Sequence, residues 1–223
     1  MKIAVVIPAH NEEAAIGPLV EAVRALGHDC IVIDDGSQDG SGDMAREQGA
    51  VVIRNEEKKG KGKSLQRGFE YVMKQDFDCV LVMDGDGQHD VEDVDQFIQK
   101  AREHSPCVVT GSRMQNHKGM PLLRLCTNRF MSLLISAVCR QNIPDTQCGF
   151  RLISLDVLKE LRLTSSDFEI ETEVLIKASK KGFKIFSVPI KTIYRNELSK
   201  INPLKDTIRF FKYLIKEILS LKT

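Results

Sequence analysis

The sequence predicts an α/β protein with an open, doubly wound, mostly parallel sheet. Short Val- and Ile-rich runs recur, helical patterns separate them, and the two alternate through about residue 111. Continuous apolar runs of this kind are typical of strands buried on both faces of a parallel sheet. Strands that alternate with helices form sheets covered by helices on both faces. The runs that we interpret as strands are residues 3–7, 30–33, 50–53, 79–83 and 107–110.

Apolar residues at three-to-four-residue spacing predict the helices. One pattern extends over residues 16–26 and ends at Gly27, and two more cover residues 65–72 and 94–101. The order after residue 111 is less regular. There we predict a long helix at 122–140, a strand at 150–154, a helix at 169–181, an extended segment at 183–194 and an amphipathic helix at 203–221. Because no low-complexity linker interrupts the chain, we expect one domain over residues 1–223.

The composition is that of an ordinary soluble protein, with 42% hydrophobic and 28% charged residues among 223. Because no run of about 18 apolar residues occurs, we expect no membrane-spanning segment. The apolar N-terminus stops at Pro8, too early for a signal peptide, so it fits a first strand and a cytoplasmic protein. The six cysteines show no zinc or disulfide spacing, and we predict that they are reduced and bind no metal.

The charge is unevenly distributed along the chain. The formal net charge is +1, but from Lys177 onward 12 Lys and Arg residues face 3 Asp and Glu residues. A basic tail predicts an anionic partner, either a phosphate-bearing substrate or a membrane surface. No nucleic-acid-binding motif is present, so we do not expect nucleic acid as a partner.

Polar segments follow four of the predicted strands, at residues 8–13, 34–37, 84–89 and 111–113. In an open α/β sheet, ligands bind beyond the carboxyl ends of the strands, near the point where the strand order reverses. The fold would bring these four segments side by side. Together they form the candidate site.

Asp84 and Asp86 lie one residue apart on a glycine-rich turn after a buried strand. Two carboxylates this close repel unless a cation lies between or beside them, and their oxygens suit Mg²⁺ or Mn²⁺ that a substrate diphosphate also holds. Gln88 and His89 are further potential ligands. The alternative is a solvated acidic turn, because two spaced aspartates alone are weak evidence.

Two other segments could be either ordinary turns or parts of a ligand-binding site. Asp34 and Asp35 begin a sequence typical of turns, but a carboxylate at a strand end also accepts hydrogen bonds from a base or a ribose. The segment at residues 60–64 ends like a phosphate-binding loop, yet the first glycine of that motif is missing. A basic, glycine-rich helix start can still contact a diphosphate through its backbone N–H groups.

Four of these motifs, in this order, resemble family-2 glycosyltransferases, whose fold is the GT-A type. They are Val6-Ile7-Pro8-Ala9-His10-Asn11-Glu12-Glu13, Ile33-Asp34-Asp35-Gly36-Ser37, Gly60-Lys61-Gly62 and Met83-Asp84-Gly85-Asp86-Gly87-Gln88-His89. The second half is similar to a narrower group, the polyprenyl-phosphate (dolichyl-phosphate) hexose synthases. That likeness rests on Gly111-Ser112-Arg113, Asn128-Arg129-Phe130 and Asp145-Thr146-Gln147-Cys148-Gly149-Phe150-Arg151, the last being closer to the glucosyl than to the mannosyl branch.

The resemblance implies a role for three sets of residues. The set implied for nucleotide-sugar binding is Pro8, His10, Glu12, Ile33, Asp34, Asp35, Lys63, Asp84, Gly85 and Asp86. The set implied for the acceptor phosphate is Arg113, Arg129, Arg195 and Lys200. The metal would be held by Asp84, Asp86 and Gln88, and catalysis would depend on Asp86, Arg113 and Asp145.

The resemblance also implies how the chain is divided. Residues 1–111 would bind the nucleotide, residues 112–200 the acceptor, and residues 201–223 would lie on the cytoplasmic face of a membrane. This chain departs from the family at Asp90, where a proline is usual, and it lacks the C-terminal transmembrane helices of some members.

The implied reaction transfers a hexose from UDP-glucose or GDP-mannose to a polyprenyl phosphate with inversion. An acceptor phosphate is already an anion at neutral pH, so Asp145 would orient or stabilise; with a hydroxyl acceptor it would be the candidate base. Two alternatives stay open at this point: transfer to a saccharide hydroxyl, and a catalytically silent nucleotide-sugar-binding protein. The sequence does not select the donor, the acceptor length or the oligomeric state.

Overall fold

A computed structural model of the chain describes residues 1–115, 120–191, 193 and 213–214. Within these residues seven strands form one sheet in the order β3-β2-β1-β4-β6-β5-β7. Only β6 is antiparallel to its neighbours, β4 and β5; the other strand pairs of the sheet are parallel. The strands are β1 (Ile3–Ala9), β2 (Asp29–Asp34), β3 (Val51–Arg54), β4 (Cys79–Val82), β5 (Cys107–Ser112), β6 (Arg151–Ser154) and β7 (Lys184–Pro189).

Helices cover both faces of this sheet. They are α1 (Glu13–Ala25), α2 (Ser41–Glu47), α3 (Lys61–Val72), α4 (Val94–His104), α5 (Leu122–Cys139), α6 (Leu155–Glu160) and α7 (Glu169–Lys180). Side chains of α3, α5, α6 and α7 share one core layer, and those of α1, α2 and α4 share the other. Alternate residues of β1 enter the two layers, because successive side chains of a strand point to opposite faces of its sheet.

The five predicted strands of the first half are confirmed, as is the mostly parallel sheet. The helix α2 was not predicted, since its sequence is rich in Ser, Gly and Asp, residues that are typical of turns. The helix predicted at 203–221 lies outside the described residues, apart from Tyr213 and Leu214. Leu214 is buried in the same core layer as α5 and α7.

The helix α5 has two different faces. Its inward side, which includes Leu125, Met131 and Ile135, is buried against the core. Its outward side exposes Leu123 at 80% and Leu133 at 68%. By its length and its mean hydropathy of 1.4, α5 is long and apolar enough to cross a membrane. Among the described residues it is the one helix that meets both conditions. Because a third of its residues are buried inside the domain, this remains weak evidence for a span.

Candidate active site

The strand order reverses between β1 and β4, and the carboxyl ends of these two neighbours carry the candidate site. The turn after β4 lies close to the end of β1: a Cβ at Gly85 would be 3.1 Å from the Pro8 carbonyl oxygen. The Asp35 N–H donates to the Ala9 carbonyl over 2.8 Å, which joins the end of β2 to the same edge. The fold thus brings three of the four predicted segments together.

Asp84 is held by a cation from within the chain. The ammonium of Lys61 donates to Asp84 Oδ1 and also to Glu171 Oε1, the latter over 2.5 Å. On its other side, Asp84 Oδ2 lies 3.4 Å from His89 Nε2. A Cβ at Gly149 would be only 2.5 Å from Asp84 Oδ2, so the approach of that loop requires glycine. Asp84 is therefore contacted by the start of α3, by His89 of its own turn and by the loop at Gly149.

The two aspartates of this turn have opposite electrostatic surroundings. Burial opposes the ionisation of Asp84, but the ammonium of Lys61 and the nearby His89 outweigh it and hold the pKa of Asp84 well below its usual range. Burial and then the charge of Asp84 raise the pKa of Asp86. Asp86 Oδ1 accepts one hydrogen bond, from the Gln88 N–H over 3.0 Å. Among the residues that the structure describes, Asp86 forms no ion pair comparable to that of Asp84 with Lys61.

This donor set fits a divalent metal that a substrate also holds. Carboxylate oxygens are the ligands that Mg²⁺ and Mn²⁺ prefer, and the raised pKa of Asp86 indicates a position where added positive charge is favourable. No group of three or more His, Cys, Asp and Glu side chains with metal-site geometry occurs in the described part of the chain. The two aspartates would therefore supply an incomplete site that other ligands complete.

Asp34 and Asp35 are both buried and bonded within the chain. Asp35 accepts hydrogen bonds from Asn55 Nδ2 and from the N–H groups of Lys59 and Gly60, over 2.7 to 2.9 Å. Asp34 Oδ1 accepts from the Ser37 N–H over 2.8 Å. The carboxylate of Asp35 thus anchors the turn that begins α3. This is a structural role that the turn-like sequence alone does not reveal.

The first strand places its polar residues beside Asp35. Pro8 is half-buried near the end of β1, and Nδ1 of His10 lies 2.9 Å from the Asp35 carbonyl oxygen. The backbone N–H of Glu12 donates to Ser41 Oγ over 2.8 Å. Ile33, by contrast, is fully buried in the core layer beneath α3. It supports this part of the site from below and does not line it.

The structure brings Lys61 to Asp84, whereas the sequence analysis named Lys63 as the lysine of the donor site. Lys63 is exposed, and its ammonium donates to Gln66 on its own helix over 3.2 Å. Lys61, two residues earlier, points at Asp84. Two positions in an α-helix differ by about 200° around the axis, so neighbouring lysines at i and i+2 face opposite sides.

Arg113 and Asp145 form a buried, bidentate ion pair. The Arg113 guanidinium donates through Nε and Nη2 to the two carboxylate oxygens of Asp145 over 2.8 and 2.9 Å. The N–H groups of Arg113 and Gln147 add bonds of 3.1 Å each. Burial opposes the ionisation of Asp145, but Arg113 outweighs it and lowers the pKa of that carboxyl. The ionised form of Asp145 is therefore favoured, and its two oxygens already accept four hydrogen bonds.

Arg151 holds the loop between Asp145 and β6 in place. Its guanidinium donates to the carbonyl oxygens of Cys148 and Thr146 over 2.9 and 2.7 Å, and to that of Glu171 at the start of α7. Arg151 is almost fully buried, at 2% exposure. It therefore fixes the loop that carries Asp145 relative to the helix that carries Glu171.

Comparison with known proteins identifies the family. Residues 4–162, more than half of the chain, match the family described as Glycosyl transferase family 2. The chain belongs to glycosyltransferase family 2. The resemblance stated from its motifs is thereby confirmed.

Named relatives of this family-2 glycosyltransferase come from archaea. An uncharacterized protein of Methanocaldococcus jannaschii is 32% identical over 224 residues, which cover 98% of this chain and 91% of the relative. The UDP-N-acetylglucosamine–dolichyl-phosphate N-acetylglucosaminyltransferase of Methanococcus voltae is 31% identical over 212 residues, with 85% and 84% covered. Glycosyltransferase AglJ of Haloferax volcanii is 28% identical over 209 residues, with 92% and 68% covered.

Solved structures confirm the GT-A fold. One is glucosyl-3-phosphoglycerate synthase of Mycobacterium tuberculosis, in complex with Mn²⁺, UDP and phosphoglyceric acid. Its TM-score is 0.75 at 23% identity, and the match covers 98% of this chain and 78% of the synthase chain. Mannosyl-3-phosphoglycerate synthase of Rubrobacter xylanophilus has a TM-score of 0.73 at 17% identity, with 99% and 73% covered. At these identities the likeness concerns the fold.

The remaining predicted residues of the family-2 site lie on α5, beside Asp86 or outside the described residues. Arg129 is on the exposed side of α5. Gln88 contributes its backbone, since its carbonyl accepts from the Ile193 N–H over 3.0 Å. Arg195 and Lys200 lie outside the described residues.

Sequence reasoning missed Lys61 and Glu171 as members of the site. Glu171 follows no strand, and it reaches the site because α7 begins beside β6. The sequence feature that could have indicated Lys61 is its place at the first position of a helix, between Gly60 and Gly62.

Proposed function

We propose that this family-2 enzyme transfers a hexose from a nucleotide-sugar to a polyprenyl phosphate. The family membership supplies the reaction type, and the site described above supplies the acidic turn expected for a metal-held diphosphate. The choice of acceptor rests on the state of Asp145.

The ion pair of Arg113 and Asp145 is the observation that favours a phosphate acceptor over a hydroxyl acceptor. A hydroxyl acceptor needs a general base with a free lone pair and a pKa near the working pH. Asp145, the candidate base, accepts four hydrogen bonds, is fully buried and has a lowered pKa. An acceptor that is already ionised needs no such base. The occupied state of Asp145 therefore favours a phosphate.

On the donor side, we assign Asp84 and Asp86 to a Mg²⁺ or Mn²⁺ ion. Such an ion would neutralise the negative charge that develops on the leaving nucleoside diphosphate. His10 and Pro8, at the end of β1, would line the nucleotide pocket. Attack by the acceptor phosphate from the opposite side of the sugar would give a β-linked product from an α-linked donor.

The acceptor side would carry cations that bind its phosphate. We assign this role to Arg113, Arg129, Arg195 and Lys200, as the resemblance implies. Arg113 already uses two nitrogen atoms on Asp145, so its contribution to phosphate binding would be mainly its charge and its place at the end of β5.

The outward face of α5 supports a peripheral contact with a membrane. Its large exposed apolar side chains are Leu122, Leu123, Phe130 and Leu133, with exposures of 54 to 80%. Four such side chains on one helix, with Arg124 and Arg129 beside them, are typical of a helix that lies in a membrane interface. A polyprenyl phosphate has its reactive end in that same interface. The contact would bring enzyme and acceptor to one surface.

Relatives and neighbours support parts of this proposal. The name of the Methanococcus voltae relative specifies dolichyl phosphate as its acceptor and UDP-N-acetylglucosamine as its donor. The Mycobacterium tuberculosis neighbour was solved with Mn²⁺ and UDP. These favour a uridine nucleotide and make N-acetylglucosamine, besides glucose and mannose, a sugar to be tested.

The test is a transfer assay with the purified chain and Mn²⁺ or Mg²⁺. The donors are UDP-glucose, UDP-N-acetylglucosamine and GDP-mannose, each offered with a short polyprenyl phosphate, with the matching polyprenol, or with 3-phosphoglycerate. We expect sugar transfer to the polyprenyl phosphate from one of the donors and none to the polyprenol.

Each other outcome would replace the proposal with a different acceptor. Transfer to 3-phosphoglycerate alone would mean that the hydroxyl of a soluble phosphate ester is the acceptor, and it would contradict both the lipid and the argument from Asp145. Transfer to the polyprenol at a similar rate would contradict the argument from Asp145. Metal-dependent nucleotide binding with no transfer to any acceptor would favour a protein that binds and does not catalyse.

A further inference from the structure

Lys61 already bonds one of the two oxygens of Asp84, a carboxylate proposed to hold the metal. Its ammonium bonds to Asp84 Oδ1 and Glu171 Oε1, and it lies 5.6 Å from the centre of the Phe168 ring. The Lys61 side chain is only 13% exposed, and that of Glu171 15%. This is a buried cation with two carboxylate partners, set at the centre of the proposed donor site.

The backbone that presents Lys61 is fixed from two sides. From below, Asp35 accepts hydrogen bonds from the N–H groups of Lys59 and Gly60. From above, the segment at residues 165–167 contacts the turn so closely that a Cβ at Gly62 would be 2.5 Å from the Ser165 carbonyl oxygen. Gly60 also has a φ of 96°, which disfavours other residues. Lys61 therefore reaches Asp84 from a rigid base, and only its side chain is free to change position.

An ammonium and a divalent cation repel each other at such short range and compete for the same carboxylate oxygen. A metal that binds Asp84 must therefore displace Lys61 or bind weakly beside it. A nucleoside diphosphate changes this balance, because its anionic oxygens offer the ammonium a new partner near the metal. Glu171 would keep hold of the ammonium during such a movement, since it contacts Lys61 independently of Asp84.

We propose that Lys61 is an internal counter-ion that keeps the divalent metal from Asp84 until the donor arrives, and that its ammonium then moves to the donor diphosphate. The inference rests on the proposed metal and donor site but not on the identity of the acceptor. It makes metal binding and nucleotide binding cooperative. The free enzyme would bind metal weakly, and the donor would bring metal and lysine into place together.

The experiment measures Mn²⁺ affinity from the electron paramagnetic resonance signal of free Mn²⁺, with and without UDP or GDP, and with no acceptor present. For the wild type we expect one of the two nucleotides to tighten Mn²⁺ binding by about tenfold or more, within the usual range of coupled ligands. For Lys61→Met we expect Mn²⁺ alone to bind about tenfold more tightly than to the wild type, and the effect of the nucleotide to shrink.

Two further variants separate charge from folding. Lys61→Arg keeps a cation at this position and should bind Mn²⁺ alone as weakly as the wild type does. Lys74→Met removes an exposed lysine just beyond the other end of α3 and should behave as the wild type in every arm. If Lys61→Met unfolds, the comparison of the wild type with and without nucleotide still tests the coupling.

The proposal is overturned if Lys61→Met binds Mn²⁺ alone no more tightly than the wild type, or if neither nucleotide changes the Mn²⁺ affinity of the wild type. Because the experiment contains no acceptor, an absence of transfer to polyprenyl phosphate would leave it intact. A failure of the transfer assay and a failure of this proposal are thus distinguishable.

Discussion

At the ends of β1 and β4, each acidic side chain has a different electrostatic partner. Asp84 is neutralised by Lys61, Asp145 by Arg113, and Asp35 by backbone N–H groups. Burial and the charge of Asp84 raise the pKa of Asp86. The site thus contains one carboxylate for which an external cation is the natural partner.

Asp86→Asn should remove metal-dependent transfer while leaving the fold intact. The substitution keeps the shape of the side chain and relieves its repulsion from Asp84, so the free energy of unfolding should not fall. Because the proposed metal loses an anionic ligand, we expect kcat/KM to fall by at least about 100-fold. Asp156→Asn, at an exposed position on α6, is the matched control. Unchanged turnover in Asp86→Asn would remove Asp86 from the metal site.

Arg113→Met should destabilise the protein, because it leaves the buried carboxylate of Asp145 without its cation. Loss of one partner of a buried ion pair costs about 3 kcal/mol in the free energy of unfolding. Chemical denaturation measures this cost. The double variant with Asp145→Asn should recover part of it, since both charges are then gone. A cost below about 1 kcal/mol for Arg113→Met would mean that the pair does not hold this loop.

The site could be predicted from the sequence at the residues that follow strands, and not elsewhere. Asp84 and Asp86 were assigned because they follow a predicted strand, whereas Asp145 was assigned only from the resemblance to the family. Lys61 and Glu171 meet across 110 positions of sequence, and no local pattern records such a contact. The resemblance implied a nucleotide-binding role for Lys63, and no sequence pattern shows that Lys61, two residues earlier on the same helix, is the lysine that reaches Asp84.

At the scale of elements, the segment before α7 covers the start of α3 and depends on one buried glutamate. Glu173 accepts hydrogen bonds from the N–H groups of Thr164 and Ser165 over 2.8 to 3.1 Å, and from Lys177 Nζ over 2.6 Å. The Ser166 carbonyl oxygen in turn accepts from the Lys63 N–H over 3.2 Å. Glu173 thereby orders the segment that packs on the turn presenting Lys61.

Glu173→Gln should change the dependence of stability on pH. Burial opposes the ionisation of Glu173, but bonds from Lys177 and Ser165 outweigh it and lower its pKa below the ordinary value of 4.5. A lowered carboxyl pKa stabilises the fold above the unfolded value, and this contribution is lost as pH falls through the folded value. Between about pH 5 and pH 3, the wild type should lose more stability than Glu173→Gln.

Urea denaturation at several pH values gives this comparison. Glu160→Gln is the control, because Glu160 pairs with Lys181 at an exposed position. Parallel stability curves for the wild type and Glu173→Gln would contradict the role assigned to Glu173.

The exposed apolar side chains on the outward face of α5 should be required for binding to membranes. Replacing Leu123 and Leu133 by Glu places two charges on the exposed apolar side without touching the core, so the fold should remain. We expect flotation with anionic vesicles to fall by about tenfold or more, because two apolar contacts are lost and two anions repel the lipid. Leu26→Glu changes an exposed leucine at the end of α1, which packs on the opposite face of the sheet, and should bind as the wild type does. Equal flotation of all three proteins would exclude α5 as the membrane contact.

Strands and helices could be predicted from the sequence where a single pattern of apolar residues dominates the segment. The five Val- and Ile-rich strands and the long apolar helix α5 carry strong periodic signals. The antiparallel direction of β6 depends on pairing with β4 and β5, which local sequence does not encode. The short helix α2 consists of residues that also form turns, so its helical state depends on packing against α1 and the sheet.

At the scale of the whole molecule, residues from both halves of the chain meet at one edge of the sheet. The ends of β1, β2 and β4 bring together the residues proposed to bind the donor, and Lys61 there joins Asp84 to Glu171 of α7. The face of the sheet that carries α5 is also the face on which Leu214 is buried. A membrane contact on that side would place the proposed acceptor beside the site.

The central claim is that the acceptor is recognised by its phosphate and that no base activates it. The most direct measurement is a competition in one reaction: equal amounts of a polyprenyl phosphate and the matching polyprenol, with the preferred nucleotide-sugar and Mn²⁺, followed by mass spectrometry of the products. We predict a single product, the sugar-bearing polyprenyl phosphate. A sugar-bearing polyprenol in comparable amount would contradict the account and would require an active base in place of the occupied Asp145.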